Sequence, residues 1–282
     1  MPRGQGRPYR RGMELSGGGW ALVLGPGGPV GTAWLAGLAA GLRRAGVEPA
    51  SADLIVGTSA GAIAGAMIAT GRDLAAVAEL PPSDERRPVV DGSVMAGVVE
   101  IGSTADLDPD EARRRIGRLA LEAAALPEER HRTSMKFLVG TDEWPDGHLL
   151  VTAVDVASGR PVVWDASSGV PLSAAVAASS AAPGYAEPVT IGGRRYMDGA
   201  FGGGSNADLA RHAGPVVLVE PLPQAFGGAA ADVRIVPDEG GREAFGDDVG
   251  DLARWTPAYR AGSRQATTAA ERIRAAVTVR GR

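Results

Sequence analysis

The chain has 282 residues, of which 44% are hydrophobic and 22% charged, with a net charge of −4, a profile ordinary for a soluble globular protein. Such a balance leaves no basic footprint for nucleic acid. The absence of cysteine excludes disulfides, thiol nucleophiles and cysteine metal sites. No apolar run reaches the roughly 20 residues that a membrane-spanning helix needs.

Residues 1–19 are rich in Gly, Arg and Pro and are expected to be disordered. The pair Arg10-Arg11 invites an export reading, but the apolar stretch after it is too short for a signal and runs into glycines. A cytoplasmic location is therefore expected. Residues 20–24 predict a buried strand, the glycine-rich 25–31 a loop, and 32–45 a helix stopped by Gly46. A second strand at 53–56 leads to a helix at 62–69, which gives a βαβα start and implies a parallel sheet between helical layers. Residues 72–132 change character, with Pro-Pro and Asp-Gly breakers and a charged helix at 109–125, and predict a helical insertion that is a candidate lid. Strands are expected at 136–140, 148–154, 161–164, 187–191, 194–197 and 216–219. A small-residue helix is expected at 172–181, a Gly/Ala/Pro-rich loop at 221–248 and a helix at 257–276. With neither an internal repeat nor a clear linker, residues 20–282 predict one domain of three-layer α/β/α architecture with a mainly parallel central sheet.

Chemistry concentrates at Gly57-Thr58-Ser59-Ala60-Gly61, a G-x-S-x-G between a strand and a helix. This is the nucleophile-elbow pattern: the tight turn exposes the Ser59 hydroxyl, and the glycines remove Cβ atoms that would clash. The following helix points its N-terminal N–H groups at developing negative charge. The loop Gly25-Pro26-Gly27-Gly28-Pro29-Val30-Gly31 also joins a strand to a helix. It lacks the third glycine of a dinucleotide fingerprint and the lysine of a phosphate loop. An oxyanion hole suits it better, because acyl transfer builds a negative oxygen that backbone donors stabilise. Proline has no N–H, so the loop donors are expected among Gly27, Gly28, Val30 and Gly31, Gly27 and Gly28 foremost, with Ala60 adding the N–H after the nucleophile.

A serine nucleophile needs a base. His131, His148 and His212 all read as surface residues, although the order Ser59, Asp198, His212 matches an α/β-hydrolase triad. Asp198, in Met197-Asp198-Gly199-Ala200, reads locally as a turn residue, and its claim rests on its company.

That company is specific. The glycine loop, the elbow, Ala178-Ser179-Ser180-Ala181-Ala182-Pro183-Gly184-Tyr185, and Asp198-Gly199-Ala200 followed by Ser205-Asn206-Ala207-Asp208 together resemble the patatin-like phospholipase family. The resemblance spans residues 20–220. It implies a lipid acyl hydrolase with Ser59 as nucleophile, Asp198 as base, no catalytic histidine, and Gly27 and Gly28 in the oxyanion loop. It implies no metal or cofactor, a lipid or other acyl-ester substrate, and peripheral membrane contact where that substrate is a lipid. Two departures stand out: Val30 replaces the family's usual Arg or Lys, and Ala200 replaces the second glycine of Asp-Gly-Gly. A histidine-dependent esterase and a catalytically silent lipid-binding module remain the alternatives.

Overall fold

The computed structural model describes residues 19–80, 92–223, 225 and 229–280. The disorder expected over residues 1–18, and the breakers within 81–91, lie outside them. In chain order the elements are β1 (Ala21–Leu24), α1 (Gly28–Arg44), β2 (Leu54–Gly57), α2 (Ala60–Ala69), α3 (Gly92–Ser103), α4 (Pro109–Glu122) and α5 (Glu128–Val139). There follow β3 (Leu149–Asp155), β4 (Pro161–Trp164), α6 (Leu172–Ser179), β5 (Val189–Ile191), β6 (Arg194–Asp198) and the short α7 (Ala200–Gly203). The chain then forms β7 (Val216–Val219), β8 (Val233–Ile235), α8 (Glu239–Phe245) and α9 (Trp255–Arg280).

The strands form one sheet in the order β5-β6-β3-β2-β1-β7-β8, with β4 also paired to β3. The run β3-β2-β1-β7-β8 is parallel, while β4 and β6 pair antiparallel with β3 and β5 pairs antiparallel with β6. Side chains alternate across the sheet as the strand period requires. Leu22, Leu24, Ile55, Val217 and Val219 join the larger core under α1, α2 and α9. Ala21, Val23, Val56 and Leu218 face the opposite way, toward Ala207 and Ala210. On that second face α3 and α4 add Val98, Ile116 and Ala120 against Val154 and Met197. The result is the expected α/β architecture, a mostly parallel sheet between helical layers. The α9 helix lies along α1 and brings Ala258, Ala266, Ala269 and Ile273 into the core at helical spacing.

Two expectations fail. The strand expected at 136–140 is the last turn of α5. His131, Met135, Leu138 and Val139 are buried at spacings of four, seven and eight, the inner face of a helix, while Phe137 stands 48% exposed outside it. Gly140, at φ 82°, closes that helix. The segment 221–248, expected as loop, carries both β8 and α8. In β8, Val233 and Ile235 are buried on either side of Arg234, and the Asp238 side chain caps α8 by accepting the Gly241 N–H at 2.8 Å.

Sheet register positions the site. On β3, Val151 pairs with Gly57, the end of β2, and Ala153 pairs with Asp198, the end of β6. Because β2 runs parallel and β6 antiparallel to β3, the carboxyl ends of both strands meet on β3 two residues apart. The two strands flank β3 from opposite sides, each about 4.8 Å from it, so the turn after β2 and the end of β6 stand on either side of this one strand.

Candidate active site

The turn after β2 places Ser59 at the start of α2 with φ 56° and ψ −119°. A side chain is rarely tolerated there, and such backbone costs about 1–3 kcal/mol unless its surroundings hold it. The flanking glycines have normal φ, and close contact is what requires them. A Cβ on Gly57 would lie 2.6 Å from Ala62 Cα, and one on Gly61 would lie 1.9 Å from the Leu24 carbonyl oxygen. The turn is pinned by its neighbours: the Thr58 N–H donates to Leu24 O at 3.1 Å, and the Ser59 N–H donates to Ser179 Oγ at 3.0 Å. Ser59 is 6% exposed and sits at the positive end of α2, whose first turn is otherwise apolar.

Asp198 ends β6 and is also buried. Its N–H donates to Ala181 O at 3.0 Å, and its Oδ1 accepts the Ala200 N–H at 2.9 Å. Burial lifts its pKa from 3.8 to about 7, against hydrogen bonds from the Ser59 hydroxyl and the Ala200 N–H that favour the ionised form. Next to it, a Cβ on Gly199 would lie 2.4 Å from Thr152 O, so the first glycine of the Asp-Gly turn is sterically required. Ala200 fits because it starts α7.

The glycine loop closes the site from β1. Gly27 caps α1, and Gly28 has φ 62°. Among the described residues, the N–H groups of Gly27, Gly28 and Ala60 donate to no protein acceptor. Val30 differs from the expectation, because its N–H donates to Val249 O at 3.0 Å and is thereby removed from the set of free donors. The Gly31 N–H is likewise engaged, with Gly27 O at 2.9 Å.

The histidines fall away from this geometry. His212 is exposed in the turn after a 3-10 segment, Ala207–Ala210. His131, expected at the surface, is 2% exposed, with Nε2 2.9 Å from Ala177 O and 3.2 Å from Ser180 Oγ. Its burial follows from α5 being a helix that turns this residue inward. Thr58, Thr152, Ser179 and Asn206 form buried polar contacts around the site; the sequence motifs contain Thr58, Ser179 and Asn206 without giving them a role, and Thr152 lies outside those motifs. Thr152 was visible as a polar residue in the middle of an apolar strand, but nothing in the sequence said which groups it meets.

Among the described residues no group of three or more His, Asp or Glu side chains has metal-holding geometry, and no helix is long and apolar enough to cross a membrane. No curated protein matches the chain. Among solved structures, VipD from Legionella pneumophila is 14% identical, with 74% of this chain and 51% of that one covered and a TM-score of 0.38. The type III effector protein ExoU is 18% identical, with 93% of this chain and 53% of that one covered and a TM-score of 0.39. This chain therefore spans about half the length of either protein. A family model described as patatin-like phospholipase matches residues 22–211, a span that holds the glycine loop, the elbow, the Ser179 block and the Asp198 turn, and the chain belongs to that family.

Proposed function

We propose that the protein is a serine acyl hydrolase acting on lipid acyl esters, of phospholipase A or carboxylesterase type, with Ser59 as nucleophile and Asp198 as general base. One observation carries the reading: a strained, buried serine at a helix N-terminus lies beside a buried carboxyl whose pKa burial raises to about 7 and whose ionised form the serine hydroxyl favours. An ordinary carboxylate is too weak a base for a serine hydroxyl, whereas a group near the working pH is half ionised and strong enough to accept the proton.

In the first step the Ser59 hydroxyl passes its proton to Asp198 as Oγ attacks the ester carbonyl carbon. The tetrahedral oxyanion is stabilised by the free N–H groups of Gly27, Gly28 and Ala60, and losing one such donor typically costs about 2.7–4 kcal/mol. Collapse expels the alcohol, which takes the proton from Asp198, and leaves Ser59 acylated. Asp198 then takes a proton from water, whose hydroxide attacks the acyl carbon. Collapse of that second intermediate releases the carboxylic acid and returns the proton to Ser59 Oγ. The chemistry asks for no metal or cofactor. A histidine is not needed in this scheme, since Asp198 stands beside the Ser59 hydroxyl and His212 is exposed. A lipid substrate would bring the chain to a membrane surface by peripheral contact.

The test is labelling with a fluorophosphonate probe, mapped by mass spectrometry, in wild type, Ser59→Ala, Asp198→Asn and His212→Ala. The expected outcome is an adduct on Ser59 that survives loss of His212 and disappears with Asp198→Asn. Dependence on His212 would replace the reading with a triad, and an unlabelled but folded wild type would leave a lipid-binding module.

A further inference from the structure

Resting on the reading of Ser59 and Asp198 above, we propose that Thr58, Asn206 and Ser179 are positioning residues that hold the elbow and the acid turn in mutual register, through two buried joints meeting at Gly199.

The first joint is the Asn206 side chain. Its Nδ2 lies 3.0 Å from Thr58 Oγ1, 3.2 Å from Thr152 Oγ1, 3.3 Å from Gly199 O and 3.2 Å from Gly204 O. An amide NH2 has two hydrogens, so these four acceptors share two donors. The hydroxyls complete the circuit. Thr58 Oγ1 and Thr152 Oγ1 are 2.9 Å apart, and Thr58 Oγ1 can donate on to Ser205 O at 3.4 Å. Thr58 precedes the nucleophile and Gly199 follows the acid, so one amide ties the residue before Ser59 to the residue after Asp198. Asn206 itself sits at φ 55°, a conformation that asparagine adopts more readily than most residues.

The second joint is Ser179. Its Oγ accepts the Ser59 N–H at 3.0 Å, and its carbonyl accepts the Gly199 N–H at 3.2 Å. Both polar groups of Gly199 are thus held by residues that also hold the elbow. Ser179 is fully buried, and Thr58, Thr152 and Asn206 are each at most 8% exposed, so water does not substitute for these contacts. The joints act on geometry. They fix how far the Ser59 hydroxyl stands from the Asp198 carboxyl, and proton transfer depends steeply on that separation.

The experiment measures kcat and KM for p-nitrophenyl butyrate, with thermal unfolding, on the full chain carrying Thr58→Val, Thr58→Ser or Ser179→Ala. Valine keeps the shape of Thr58 and removes the hydroxyl, whereas serine keeps the hydroxyl. Thr58→Val and Ser179→Ala should each lower kcat by about 10- to 100-fold with KM within about 2-fold of wild type, and Thr58→Ser should restore most of kcat. Folded Thr58→Val and Ser179→Ala proteins with wild-type kcat would overturn the proposal, as would equal losses in Thr58→Val and Thr58→Ser. Should Thr58→Val fail to fold, Ser179→Ala decides alone. A folded wild type that neither hydrolyses the ester nor takes a fluorophosphonate label sinks the reading of the site and this proposal with it. A wild type labelled at Ser59, beside indifferent variants, sinks only the positioning roles.

Discussion

Asp198 gives the sharpest quantitative handle. Its pKa is 3.8 as an ordinary carboxyl and about 7 in the folded protein, because burial disfavours the charged form. Well below 3.8 the group is protonated in both states and costs nothing. Between the two values the unfolded chain ionises while the folded protein keeps its proton, so stability falls as pH rises. Above 7 both states are ionised and the loss is complete. At about 1.4 kcal/mol per pKa unit, the full loss is up to about 4 kcal/mol. Asp198→Asn removes this titration while its carboxamide oxygen still accepts the Ala200 N–H. Relative to wild type, the variant should therefore gain about 2–4 kcal/mol between pH 5 and pH 8.5 while losing hydrolysis. Denaturant unfolding of both proteins at the two pH values measures the difference, in which all other titrations, including that of the buried Glu220, cancel. A stability difference that stays flat across this range would show that Asp198 is not held in a desolvated site. In wild type the same titration should make kcat/KM rise with pH through about 7, because the proposed mechanism uses the ionised carboxylate as the base.

Ser59 should show the same conflict between stability and chemistry through its backbone. With φ at 56°, Ser59→Gly should be more stable than Ser59→Ala by about 1 kcal/mol in denaturant unfolding, since only glycine relieves the strain; equal stabilities would refute it. Gly61→Ala places a Cβ 1.9 Å from the Leu24 carbonyl oxygen, between two buried elements that cannot part easily. It should cost at least about 3 kcal/mol or prevent folding, and a loss under about 1 kcal/mol on thermal unfolding would refute the steric argument.

The parts of the fold legible in the sequence were those where a short apolar strand runs into glycine and then a small-residue helix. There the period of the apolar residues and the breakers agree, as in β1 with α1 and β2 with α2. The run around Met135, Leu138 and Val139 misled because the inner face of a helix and a short strand present the same local density of apolar residues. Deciding between them required knowing that His131, one turn earlier, is also buried. The β8 strand is three residues long with Arg234 at its centre, too short to show a period. At the site, the sequence singled out Ser59 by its motif and Asp198 through the family resemblance, whereas the burial and hydrogen bonding around them were not legible. The pKa of Asp198 is set by burial among residues distant in sequence, and the Asn206 to Thr58 contact joins positions 148 apart. The donor set was misjudged at Val30 for the same reason, since its acceptor is a carbonyl more than two hundred residues away.

That contact also gives a physical basis for the departure at position 30. The Val30 side chain is fully buried in the larger core, and its N–H is bound to Val249. A Cβ on Gly28 would lie 3.0 Å from the Val249 carbonyl oxygen, so the residue bonded to Val30 also packs against Gly28, a proposed oxyanion donor. An arginine or lysine at position 30 would have to place its charge in this apolar core, or else push the loop off Val249. The segment that excludes it lies beyond residue 211, where the family match ends, so here the C-terminal region shapes the glycine loop. Under the proposed mechanism, such a site would stabilise the charge that develops on the reacting carbonyl with backbone dipoles alone. At this position it offers no fixed cation to an anionic head group, so any preference for one must come from another part of the surface.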